Sequence, residues 1–255
     1  MGIKSSASSA ILELQQLSLR FPSMDKAILK EIAYTVYPGD FVVILGGNGS
    51  GKSSLMKLIT GQYHPTAGKV VWPLQKNNQE KRREVAQHTV MLTQDPNQSL
   101  FTELTVLENA LLWNTRGQSV GLSMGTRVMR EQLNAQLSAF NPNLVHKLDT
   151  PCMRLSGGEK QSLLLALCLL QPIDVLLLDE HTSALDPKTA VSLMELTANT
   201  IAKQRMTCLM TTHDLDDALR YGNRLIALKD GEIAFEAQAH EKQKLAKQDL
   251  LQFCY

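Results

Sequence analysis

Cysteine is sparse in this sequence and shows no pairing pattern. The four copies, Cys152, Cys168, Cys208 and Cys254, are scattered, with no C-x-x-C spacing among them. That argues against a zinc site or a disulfide frame and for free thiols in a reducing compartment. A charge bias is missing as well. The net charge is +1, which gives no electrostatic footprint for a nucleic-acid or acidic partner. No long apolar run is present. The longest, Leu163 to Leu170, is far below the ~20 residues that span a bilayer. Residues 1–10 are rich in Ser and Ala and lack the hydrophobic core of a secretion signal, so a flexible tail is expected there. What the chain does have is size. Its 255 residues, with an ordinary 44% hydrophobic share, suit one large domain or a core with a subdomain.

The most informative stretch is Gly46-Gly47-Asn48-Gly49-Ser50-Gly51-Lys52-Ser53. An apolar run, Phe41 to Leu45, precedes it and reads as a buried strand. Ser54 to Ile59 follows and reads as the start of a helix. Strand, glycine loop and helix is the context that the phosphate-binding pattern G-x-x-x-x-G-K-[ST] requires. The glycines allow successive N–H groups to turn inward around an anion, and the helix adds its positive end. Lys52 is expected to reach β- and γ-phosphates, and Ser53 to offer its hydroxyl to Mg²⁺.

Around this loop the pattern alternates between strands and helices. Leu12 to Phe21 and Ala27 to Tyr37 predict two strands of an antiparallel patch. Phe21 is an aromatic at a strand end upstream of the loop, which reads either as a core residue or as the flat π face that an adenine ring needs there. Lys69 to Trp72 and Thr89 to Thr93 predict short strands, the latter running into Gln94. Gln75 to Arg83 is polar and reads as a solvated insertion. Residues 105–115 and 124–140 carry helical apolar spacing, with Gly117 to Gly125 as a loop. This middle third, about 95–165, predicts an inserted helical subdomain.

Leu155-Ser156-Gly157-Gly158-Glu159 then opens an apolar helix, with Ser156 as N-cap. A glycine-bearing helix start is a second candidate anion site. Ile173 to Leu178 predicts a buried strand ending in Asp179-Glu180. Two carboxylates there, in a phosphate-loop protein, fit Mg²⁺ chemistry: Asp179 to hold the ion and Glu180 to orient or deprotonate water. Ser183 to Pro187 is a turn, Lys188 to Lys203 a helix, and Met206 to Thr211 a strand with His213 just past its end. Arg224 to Lys229 and Glu232 to Phe235 close the sheet around Asp230-Gly231. Residues 237–255 predict a polar terminal helix.

Together these motifs resemble the nucleotide-binding subunit of an ATP-binding-cassette (ABC) transporter over about residues 11–236. The phosphate loop, Gln94 at a strand end, LSGGE at 155–159, LLLDE at 176–180, SALD at 183–186 and His213 carry the resemblance. It implies an α/β fold: a P-loop NTPase core, RecA-like, with a mixed sheet and helices on both faces, plus the antiparallel patch and the helical subdomain. It implies two copies facing head to tail with two ATP molecules between them. Each ATP would contact Phe21, residues 46–53 and Ser54 of one copy. The other copy's Ser156, Gly157 and Gly158 would cap the γ-phosphate, with Glu159 also counted in the cofactor site. Ser53, Gln94 and Asp179 would hold Mg²⁺. Glu180, His213, Gln94 and Lys52 would carry catalysis, and Asp186 would couple the sites.

The implied partners are an integral membrane permease, a second cassette and a separate solute-binding protein at the cytoplasmic face of the membrane, with no nucleic acid. Glu159 replaces the usual Gln and His181 a common proline. The DEHTSALDPKTA stretch looks like bacterial uptake cassettes for amino-acid-like or other small organic solutes. LDTPCM at 148–153 lacks an acidic motif of many exporters. A soluble cassette ATPase acting on a ribosomal or DNA-associated partner is the alternative. A scaffold that binds ATP without turnover is a third reading, opposed by intact Lys52, Asp179, Glu180 and His213.

Overall fold

Leu12–Leu19 (β1) buries Leu12, Leu14, Leu17 and Leu19. Strict alternation would have placed residue 16, not 17, on that face. The chain absorbs the extra residue in a bulge: the register shifts between Leu14 and Leu17, and Gln16 takes φ 50°. Leu29–Val36 (β2) and Ala67–Val71 (β4) flank β1 in an antiparallel sheet of order β2-β1-β4. Gly68 passes so close to the bulge that a Cβ there would lie 2.2 Å from the Gln16 carbonyl oxygen, at φ 78°. Only glycine fits.

These elements come from a computed structural model that describes residues 9–73, 89–114, 126–170 and 173–254. The expected insertion at 75–83, the loop at 117–125 and most of the tail lie outside the described residues. Two compact units are present, one from residues 1–85 and 205–255, the other from 86–204.

In the first unit, Phe41–Leu45 (β3) is buried along its whole length. It pairs in parallel with Thr207–Thr212 (β7) on one side and Arg224–Lys229 (β8) on the other. A strand covered on both faces needs a continuous apolar run, and FVVIL supplies it. Glu232–Ala237 (β9) runs antiparallel to β8. Lys52–Ile59 (α1) follows β3, and Leu215–Arg220 (α7) follows β7.

In the second unit, Thr89–Leu92 (β5) and Val175–Asp179 (β6) pair in parallel, with Leu92 opposite Leu178. The helices are Val106–Asn114 (α2), Thr126–Phe140 (α3), Pro142–Val145 (α4), Gly157–Cys168 (α5) and Pro187–Gln204 (α6). Met129, Leu133 and Leu137 make a fully buried stripe on α3, which packs on α5. From Leu163 to Cys168, α5 is buried all round, as its unbroken apolar sequence requires.

The predicted terminal helix is corrected. Ala237 belongs to β9, paired with Leu225. Beyond it stand two four-residue helices, Ala239–Lys242 (α8) and Lys247–Leu250 (α9), and a 3₁₀ turn at Leu251–Phe253. Burial of Leu250 and Phe253 breaks the segment. Tertiary packing overrides the weak helical propensity of a polar stretch.

A buried ion pair ties β8 to the turn before β3. The Arg224 guanidinium donates to Asp40 Oδ2 at 2.7 Å, to the Thr35 carbonyl at 2.7 Å and to Glu236 Oε1 at 3.0 Å. It lies over the Tyr34 ring, 4.6 Å from the centroid. Asp40 also accepts from the Tyr37 N–H. Removing the cation strands a largely buried carboxylate. Arg224→Met should therefore cost about 3–5 kcal/mol of unfolding free energy. A lower urea midpoint at unchanged slope would register that loss.

Candidate functional site

β3 ends at Leu45, opposite Thr212 of β7. Gly46 and His213 thus leave neighbouring strands at the same end of the sheet. From there the loop is shaped by left-handed residues: Gly49 has φ 80° and Gly51 φ 103°. A Cβ on Gly51 would meet a Leu29 methyl at 2.7 Å, and one on Gly46 would meet the Leu228 carbonyl oxygen at 2.6 Å. Close approach and positive φ both call for glycine here.

α1 starts at Lys52 with Gly51 as its N-cap and no side-chain cap. A helix start with no side-chain cap suits an anion. Lys52 is buried, 5% exposed, and its Nζ donates to the carbonyls of Gly46 at 2.8 Å and Gly47 at 3.1 Å. Ser53 is exposed and Ser54 half-buried, while Asn48 and Gly49 face outward. The Ser50 hydroxyl is buried without a hydrogen-bond partner. Phe21 meets Tyr63 edge-on, with ring centroids 5.3 Å apart, and Lys57 Nζ stands 5.3 Å from the Tyr63 ring. Uncapped helix, glycine cradle and inward lysine fit a polyphosphate.

The second unit carries the other candidates. Leu92 is level with Leu178, so Gln94 and the pair Asp179-Glu180 also leave neighbouring strands at one end. Asp179 is 8% exposed. Glu180 sits at φ 47°, an uncommon conformation for a non-glycine residue. A turn fixes it: its carbonyl accepts from the Ser183 N–H at 3.0 Å and the Ser183 hydroxyl at 2.8 Å. Among the described residues no three His, Cys, Asp or Glu side chains gather as a metal cage. Mg²⁺ held by one carboxylate, a hydroxyl and substrate phosphates needs none.

Ser156 caps α5 in a full capping box. Its Oγ accepts from the Glu159 N–H at 3.3 Å, and Glu159 Oε2 accepts from the Ser156 N–H at 3.0 Å. The other Glu159 oxygen pairs with Lys147 Nζ at 2.6 Å. Burial pushes the Glu159 carboxyl up, but Lys147 and Ser156 together hold it below its ordinary range. Gly157 and Gly158 pack on the start of α6. A Cβ on Gly158 would lie 2.5 Å from a Thr189 methyl. Asp186 is exposed and accepts from the Thr189 N–H at 3.1 Å, so it also caps α6.

Gln161 was missed at the level of sequence. It is 1% exposed, and its Nε2 donates to the carbonyls of Thr93 at 3.1 Å and Gln94 at 3.3 Å. Lys160 Nζ reaches Asn97 Oδ1 at 2.9 Å. The helix that Ser156 opens is thereby bonded to the segment carrying Gln94. A glutamine at the head of an otherwise apolar helix run was the available signal.

A phosphate loop at a parallel strand's end, with a carboxylate pair at another, defines the class: an α/β nucleotide-binding ATPase. The family is set by comparison. The ABC transporter family model matches residues 29–183, and the chain belongs to that family; its members are ATPases. A tyrosine transport ATP-binding protein of Clostridioides difficile is 34% identical over 245 residues, covering 95% of this chain and 98% of that one. The thiamine import ATP-binding protein ThiQ of Yersinia pestis is 37% identical, covering 79% and 80%. A bacterial ABC transporter cassette solved as a dimer superposes with a TM-score of 0.75 at 26% identity, covering 89% of this chain and 98% of that one. In the fold alone, CbiO1 of Clostridium perfringens is also similar, with a TM-score of 0.76 at 24% identity and coverage of 92% and 90%.

His181 follows Glu180 and is 3% exposed, with no hydrogen-bond partner for Nε2. Burial lowers its pKa from 6.5 to about 4. The unfolded chain takes up this proton near pH 6.5 and the folded chain only near 4. Stability is therefore lost as pH falls through that window, by roughly 3 kcal/mol from this residue. The difference between the parent and His181→Leu in stability against pH should show that component. Parallel curves from pH 7 to 4 would contradict it.

Proposed function

We propose that this chain is the energy-coupling ATPase of an importer for amino-acid-like or other small organic solutes. The observation that carries the substrate class is the end-to-end match to a tyrosine transport relative. Its place would be peripheral, on the cytoplasmic face of the membrane, beside an integral permease fed by a separate solute-binding protein. Among the described residues no helix is long and apolar enough to cross a membrane, which is in keeping with a separate permease.

Phe21 is assigned to the adenine, residues 46–54 to the phosphates, and Ser53, Gln94 and Asp179 to Mg²⁺. The ion's contribution is to neutralise charge on the β- and γ-phosphates. Glu180 acts as general base toward the attacking water, and His213 and Gln94 orient that water and the γ-phosphate. Ser156, Gly157 and Gly158 of a second copy close the site, with Glu159 holding Ser156 in place. Asp186 links the two sites. ATP binding favours the closed dimer and hydrolysis releases it.

Glu180→Gln should retain ATP binding and lose hydrolysis by about 10²-fold or more, the scale of a missing general base. ATP should then hold the variant as a dimer on gel filtration. A monomer at saturating ATP would count against the two-copy site. Lys52→Ala should abolish nucleotide binding, and unchanged affinity would sink the phosphate-loop assignment. The transport reading is tested by pulling down Glu180→Gln with ATP from detergent-solubilised native membranes. A multi-span permease in the eluate supports it. Ribosomal or DNA-associated proteins alone would move the chain to the soluble ATPases.

A further inference from the structure

Residues 251–254 lie against the phosphate loop. The Gly47 N–H donates to the Phe253 carbonyl at 3.1 Å. A Cβ on Gly47 would lie 2.7 Å from the Cys254 carbonyl oxygen, so the contact requires glycine. The Gly47 N–H shares its peptide plane with the Gly46 carbonyl, which accepts from Lys52 Nζ at 2.8 Å. That peptide is trans, so its two polar groups point to opposite sides. One peptide is thus held at both ends, by Lys52 on its oxygen and by Phe253 on its N–H. Bonds in such a chain polarise and strengthen each other.

The segment has its own anchors. Leu250 is fully buried, and Phe253 stacks on Phe235 of β9 with centroids 5.5 Å apart. Lys229, at the end of β8, donates to the Gln252 carbonyl at 2.7 Å. The Cys254 thiol donates to the His213 carbonyl at 3.7 Å. The strap therefore reaches from the phosphate loop to the backbone of His213.

We infer that Leu251–Cys254 is a positioning element of the nucleotide site. It clamps the Gly46–Gly47 peptide and so keeps the Lys52 ammonium on the loop's own carbonyls. Phosphates that take this ammonium must first exchange those bonds, and the strap raises the cost of that exchange. It acts through Gly47 and Lys52 and touches no phosphate itself. The inference rests on the assignment of residues 46–53 as the ATP site.

The test measures binding of a ribose-labelled fluorescent ATP to the full chain and to two variants. Phe253→Ala removes the stack that seats the strap. Lys229→Met removes one exposed bond to it and leaves the core alone, so it decides the matter if Phe253→Ala melts early. Weakening the clamp should tighten nucleotide binding by about fivefold, the worth of one net hydrogen bond taken from a competing arrangement. A strap that merely supports the fold would leave affinity unchanged or reduce it.

Cys254 gives a second readout in the parent protein. Cys152, Cys168 and Cys208 are buried, and Cys254 is half-buried. ATP should speed maleimide labelling of Cys254, located by peptide mass spectrometry. Unchanged or weaker affinity in the folded variants overturns the inference, as does labelling that ATP slows or leaves alone. If the parent itself binds no nucleotide, the ATP-site assignment fails; if the parent binds and Lys52→Ala does not, while the strap variants bind no more tightly, the inference alone fails.

Discussion

A buried ammonium at a strand end is the constraint around which the first unit is built. Lys52 is 5% exposed, and a lysine so placed needs oxygen acceptors close by. Backbone carbonyls of Gly46 and Gly47 meet it at 2.8 and 3.1 Å. Those carbonyls can converge only if the loop bends through conformations that side chains resist, hence the positive φ at Gly49 and Gly51. The bend in turn needs a rigid frame. β3 supplies it, hydrogen-bonded on both sides by β7 and β8 and buried throughout. The Arg224–Asp40 pair closes the entry to β3, so the strand's start and end are both fixed by charges held among acceptors or partners.

What was legible in the sequence was local. The phosphate loop, the Ser156 cap and the strand before Asp179 are each set by residues within about eight positions of one another, and the strands and helices beside them were placed to within a few residues, whereas the short helices Pro142–Val145 and Leu215–Arg220 were not foreseen. The antiparallel patch was also readable, though the bulge inside β1 was not. Residue 15 to 17 hides a bulge whose cost depends on Gly68, a partner on another strand. Long-range contacts left no comparable trace. Gln161 bonding Thr93 and Gln94, Arg224 bonding Asp40 and Phe253 accepting from Gly47 join residues that no spacing rule connects. The terminal segment failed for the same reason. Its polar composition favours helix weakly, while burial of Leu250 and Phe253 depends on neighbours far away in sequence.

The signature motif illustrates how a local rule and a long-range partner combine. Ser156 satisfies the Glu159 N–H, and Glu159 satisfies the Ser156 N–H. The capping box leaves the N–H groups of Gly157 and Gly158 as the donors at the tip of α5, where a side chain on Gly158 would strike Thr189. A carboxylate at position 159, where the family usually has an amide, puts a negative charge beside donors proposed to meet a γ-phosphate. Alone it would repel that group. Lys147 removes the objection. At 2.6 Å its ammonium neutralises the Glu159 oxygen that the capping box does not use. The Glu159–Lys147 pair is thus equivalent in net charge to a glutamine and keeps the acceptor that caps the helix. Exposed ion pairs contribute little stability, but this one lies at a half-buried carboxylate. Its consequence is electrostatic: the helix dipole at residues 157 and 158 has no uncompensated charge behind it to oppose the phosphate proposed to meet it.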